Sequence, residues 1–171
     1  ASDVYKRQGK GLSWFRDTGY AQLIEEIDKT EGSKPIAVIF NLGVNDLGNA
    51  GNYVSYMTNI ASTLKSKNCK LFYMSVNPIN STMITKAGRG ARTEAQVREF
   101  NSKIRSGLSL DYKYIDMYSV LMKKGYGTNA SYNGTDADSD DGLHYTTKTF
   151  KRIYYYCITY LNTGSINASY Y

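Results

Sequence analysis

The feature that most constrains this chain is its alternation of short apolar runs with amphipathic stretches of helical period. Ile36-Ala37-Val38-Ile39-Phe40 follows Pro35 and is apolar throughout, the pattern of a strand covered on both faces. Leu71-Phe72-Tyr73-Met74-Ser75-Val76, with Cys69 at its opening and Asn77-Pro78 closing it, reads as a second strand, and Tyr112 to Asp116 as a short third. Tyr20, Leu23, Ile24 and Ile27 fall at i, i+3, i+4 and i+7, one face of a helix, and Tyr53, Met57, Ile60 and Leu64 mark another. Thr93-Glu94-Ala95-Gln96 is a capping box, opening a helix that carries Val97, Phe100, Ile104 and Leu108. The last helix places Phe150, Ile153, Tyr154, Cys157 and Leu161 on one face. Val4 and Tyr5 suit a further short strand ending at Gly9-Lys10-Gly11. Strands alternating with helices predict an α/β fold, a mainly parallel sheet with helices on both faces.

No repeat, linker or low-complexity tract divides the sequence, so residues 1–171 are expected to form a single domain. A chain of this length buries roughly 70% of its unfolded surface and needs no disulfide staples. Cys69 and Cys157 match no metal spacing and read as buried free thiols. The longest apolar run, Ile153 to Ile158, is six residues, far short of the ~20 a membrane span requires. Net charge is +6, but the basic residues are scattered, which argues against a nucleic-acid partner. Asp136, Asp138 and Asp140 alternate as in a calcium loop; Asp141 then stands where the turn glycine belongs and Thr147 where the bidentate glutamate belongs. A solvated acidic loop is expected there, and no metal. The single histidine also argues against most zinc catalysis, which takes two or three.

In open α/β sheets ligands sit beyond the carboxyl ends of the strands. Three polar segments fall at such ends: Gly9-Lys10-Gly11, Gly43-Val44-Asn45-Asp46 and Asp141-Gly142-Leu143-His144. The last closes the stretch from Met117 to Leu143, too long for a plain connector. An aspartate three residues before a histidine can accept from one imidazole nitrogen and leave the other as general base toward a hydroxyl. Asn45 offers a side-chain donor, and Gly11 lets a backbone N–H approach closely, the parts of an oxyanion hole. Each piece also has a plainer structural role. Asn45-Asp46 suits a turn, the glycines are loop punctuation, and Asp141 with His144 suits the start of a helix. Asn77-Pro78 either lines the pocket or only ends a strand, and Asp116 is read as structural.

These segments resemble the conserved blocks of the SGNH/GDSL hydrolases. Val38-Ile39-Phe40-Asn41-Leu42-Gly43-Val44-Asn45-Asp46 is similar to the third block, Gly-x-Asn-Asp, and Asp141-Gly142-Leu143-His144-Tyr145 to the fifth, Asp-x-x-His. Gly9-Lys10-Gly11-Leu12-Ser13-Trp14-Phe15 resembles the second, in which a glycine donates its N–H; Gly11 is the candidate and Gly9 the fallback. The resemblance implies a three-layer, flavodoxin-like fold and a serine esterase or acylhydrolase needing no cofactor. His144 would be base and acid, Asp141 its orienting carboxylate, and Asn45 with Gly11 the oxyanion donors. It also implies small acyl ester substrates, O-acetyl groups on carbohydrate among them, and a secreted or bacterial surface protein.

One departure stands out. The family's Gly-Asp-Ser block, which carries the nucleophile, is absent from the sequence. Ser2-Asp3 lacks the glycine, and Ser13 occupies a second-block position that is not the nucleophile. The chain is therefore expected to lack the family's first, central strand, some 30 to 40 residues by the usual size of a strand–helix unit, and to hydrolyse no ester by itself. A non-catalytic carbohydrate-binding or interaction domain on the same scaffold is the alternative. A flavodoxin-like ligand binder is disfavoured, because no Gly-rich phosphate loop follows a strand.

Overall fold

In the computed structural model, which describes residues 9–30, 32, 34–126 and 141–166, three parallel strands form one open sheet. β1 (Ile36–Phe40), β2 (Cys69–Met74) and β3 (Tyr112–Ile115) lie side by side in that order. Phe40 pairs with Tyr73, and Tyr73 in turn with Tyr114. Parallel neighbours require crossover connections. α3 (Ala50–Ser66) links β1 to β2, while α4 (Ser81–Lys86) and α5 (Glu94–Gly107) link β2 to β3. Ahead of β1, a helix begins as α1 (Leu12–Trp14), widens into a π turn (Phe15–Gly19) and continues as α2 (Tyr20–Lys29). α6 (Met117–Lys123) and α7 (Thr147–Thr163) follow β3.

Alternation along the strands sorts side chains onto two faces. Val38, Phe40, Leu71 and Tyr73 join Met57, Leu64, Val97 and Ile104 in one core. Phe72, Met74 and Ile115 join Leu121, Ile153 and Tyr156 in a second. α2, α3 and α5 thus cover one face and α6 and α7 the other, which makes three layers. Fully burying a side chain such as Met57 or Leu64 contributes about 1.5–3 kcal/mol, so both layers are held mainly by apolar contact.

Several elements depart from the sequence reading. β1 is not covered on both faces: Val38 and Phe40 are buried, Ile36 and Ile39 only partly, and Ala37 is exposed. It is an edge strand, with no partner on its outer side among the described residues. β2 stops at Met74, two residues early, because Asn101 takes over the backbone of Val76, accepting from its N–H at 2.8 Å and donating to its carbonyl at 2.9 Å. The stretch after Ile115, already too long for a plain connector, opens with a helix that the sequence reading did not place. Asp116 caps α6 by accepting from the Ser119 N–H at 3.1 Å, and Met117 and Leu121 are buried. Asn80 caps α4 in the same way through the Met83 N–H, at 3.0 Å. α7 meets the sheet through Ile153, Tyr156 and Cys157, and this rotation leaves Tyr154 exposed. Val4, Tyr5 and the Asp136-Asp138-Asp140 run lie outside the described residues.

Candidate functional site

The site is assembled beyond the carboxyl ends of the strands. Asn41, just past β1, donates to the Ser75 carbonyl at 2.8 Å and ties the exits of β1 and β2 together. The chain then turns at Gly43, whose φ is +122°. A Cβ there would lie 2.3 Å from the Phe100 ring, so only glycine fits the turn that projects Asn45 and Asp46.

Asp46 faces back toward the first helix. One of its oxygens accepts from the Leu12 N–H at 2.7 Å and from the Tyr53 hydroxyl at 2.8 Å. Burial, and then the Asp46 carboxylate, raise the Tyr53 phenol far above its ordinary range, so it stays a donor. A Cβ on Gly11 would fall 2.0 Å from that same Asp46 oxygen. Gly11 is therefore required by close approach, and its N–H makes no hydrogen bond among the described residues. Gly9, by contrast, is exposed with open space around it.

Asn45 is held from two sides. Its Nδ2 donates to the Lys10 carbonyl at 3.0 Å, and its Oδ1 accepts from the Arg92 guanidinium at 3.0 Å. The arginine fixes which way the amide faces, leaving the second Nδ2 hydrogen for another acceptor. Arg92 is itself fixed by donating to the carbonyls of Val44 at 2.9 Å and Arg89 at 2.6 Å.

Asp141 and His144 form the other half. Asp141 is 8% exposed. Its Oδ1 accepts from the N–H groups of Leu143 (3.0 Å) and His144 (2.8 Å), closing a tight turn. Its Oδ2 lies 2.7 Å from His144 Nδ1 and 3.1 Å from Arg89 Nε. Burial by itself would raise the Asp141 carboxyl; the backbone and ring of His144 and the Leu143 amide outweigh it and hold the group below the usual carboxylate range. An ionised Asp141 keeps the proton on Nδ1, leaving Nε2 as the basic nitrogen. Nε2 has no partner among the described residues, and the side chain is 36% exposed. The turn is fastened beyond β2, where Asn80 N–H donates to the Gly142 carbonyl at 2.8 Å and the Tyr145 hydroxyl to that of Pro78. Nearby Asn77 Oδ1 is buried without a partner, the only such side-chain atom among the described residues.

The sequence-derived residues thus fall into two clusters, Gly11 with Asn45 and Asp141 with His144. Arg89 and Arg92 join them, running from Asp141 through the Arg89 backbone to Asn45. Neither arginine stood out in the sequence. Among the described residues no three His, Cys, Asp or Glu side chains gather to hold a metal, and no helix is long and apolar enough to cross a membrane. No protein-family model and no curated protein matches the chain.

Proposed function

We propose that this chain carries the acid–base and oxyanion parts of an SGNH-type esterase site acting on small acyl esters, O-acetylated carbohydrate in particular. The observation that carries the reading is the Asp141–His144 pair, 2.7 Å apart, with no described residue bonded to Nε2. Support comes also from the available donors of Asn45 and Gly11, and from a parallel β1-β2-β3 sheet that suits one side of a 2-1-3-4-5 order. His144 takes the proton of an attacking hydroxyl and returns it to the leaving alcohol. Asp141 stabilises the imidazolium formed between the two steps. Asn45 and the Gly11 N–H stabilise the oxyanion, where one donor is worth about 3 kcal/mol.

The Gly-Asp-Ser block that would supply the attacking hydroxyl does not occur in the sequence. The chain of 171 residues should therefore release no p-nitrophenol from p-nitrophenyl acetate beyond its His144→Ala variant. A longer chain, extended ahead of Ala1 by a strand bearing Gly-Asp-Ser, should hydrolyse it, with activity lost in His144→Ala and reduced ~10⁴-fold in Asp141→Asn. Hydrolysis indifferent to His144 in that extended chain would sink the reading. A non-catalytic carbohydrate-binding domain is favoured by a second cleft, about 370 Å³, lined by Ser13, Asn49, Asn52, Ser55 and Asn59 beside Tyr56. Sugar binding by an extended chain that cleaves nothing would select it.

A further inference from the structure

We infer that the cleft beside Asn45 is a subsite for a carboxylate on the substrate, so that the ester is carried by an acidic, uronate-bearing saccharide. This rests on the carbohydrate-ester reading and adds the charge of the carrier. The cleft, about 260 Å³, lies between the loop holding Val44, Asn45 and Gly48 and the segment Arg89 to Arg92. Among the described residues two arginines line it and no carboxylate does. Arg89 is balanced by Asp141, at 3.1 Å. Arg92 has no carboxylate partner among the described residues: it is half-buried, and its partners there are the carbonyls of Val44, Arg89 and Gly90 and the amide oxygen of Asn45, all neutral.

A partly buried cation without a counterion is costly unless a ligand supplies one. The surplus here is one positive charge, which matches a carboxylate better than a phosphate monoester dianion. The terminal nitrogens of Arg89 have no partner among the described residues and its side chain is 55% exposed, so it can present its planar fork to the same group. Because Asn45 borders the cleft, a sugar seated there by its carboxylate brings a neighbouring acyl group to the oxyanion donors.

The test is equilibrium binding to the 171-residue chain, followed by nuclear magnetic resonance, of two O-acetylated oligosaccharides of equal length, an oligogalacturonate and a neutral xylo-oligosaccharide. The acidic one should bind about tenfold tighter, and the advantage should shrink as salt rises. Arg89→Gln should remove most of the advantage without affecting the neutral ligand, while Arg89→Lys, which keeps the charge and guards against misfolding, should retain part of it. Equal affinity for both ligands, binding of neither, or a preference that survives Arg89→Gln at all salt concentrations would overturn the proposal. So would displacement of the oligogalacturonate by an equal concentration of inorganic phosphate. The ester reading fails separately: an acidic preference through Arg89, with no hydrolysis by the Gly-Asp-Ser-bearing chain, leaves the anionic cleft standing and removes the esterase.

Discussion

Asp141 is a carboxylate whose surroundings favour its charged form, and that ties the stability of the site to pH. Its acidity is enhanced in the folded chain relative to the unfolded one, so the native state binds fewer protons wherever the two differ. Its contribution is fully present above the unfolded carboxylate range, near pH 4 to 5, and is lost as pH falls toward the depressed native value. Urea midpoints measured from pH 7 down to pH 3 should fall more steeply for the wild type than for Asp141→Asn. Parallel pH profiles for the two proteins would show that the turn contributes nothing. At this scale the sequence singled out the Asp141–His144 pair that the fold brings into contact and not its neighbours. Asp141 and His144 are three positions apart, within reach of a local pattern. Arg89 and Arg92 reach their partners only because the segment after α4 folds back against the Gly43–Asp46 turn, and no spacing encodes that.

Among the elements, strands and long helices were the most legible, because each carries its own period. α3, α5 and the three strands lie close to where apolar spacing places them, and the Thr93–Gln96 capping box is present with both of its reciprocal bonds. The short helices α4 and α6 were not legible. Each is too brief to show a period, and each is announced only by its cap, Asn80 or Asp116. The truncated end of β2 has a similar cause. Ser75 and Val76 look like strand residues, but a buried side chain from α5 satisfies Val76 in place of a neighbouring strand. Asn101 thereby sets where the chain leaves the sheet. Asn101→Ala strips the Val76 N–H and carbonyl of both partners in a buried setting and should cost about 2–4 kcal/mol in chemical denaturation. A loss below about 0.5 kcal/mol would mean that water or a neighbour replaces it.

For the whole molecule, the three-layer arrangement was readable from the strand–helix alternation, but the sidedness of β1 was not. An apolar pentapeptide looks the same whether its outer edge is paired or open, and only the sheet order separates the two. The layers also settle the state of the cysteines. Cys69 lies in the core on one side of the sheet and Cys157 in the core on the other, so they do not meet, and both are free and buried. Burial pushes the Cys157 thiol up to about 11, and it raises Cys69 as well, which leaves little thiolate at neutral pH. Ellman's reagent should therefore find almost no reactive thiol in the folded chain and two after denaturation. Rapid titration of either thiol in the native protein would contradict the burial. The separation has a kinetic use. Each thiol can be modified only when its own layer opens, so the chain carries one internal clock on either side of the sheet. Two unequal labelling rates would date the opening of each layer, and a single shared rate would show that the halves of the fold come apart together.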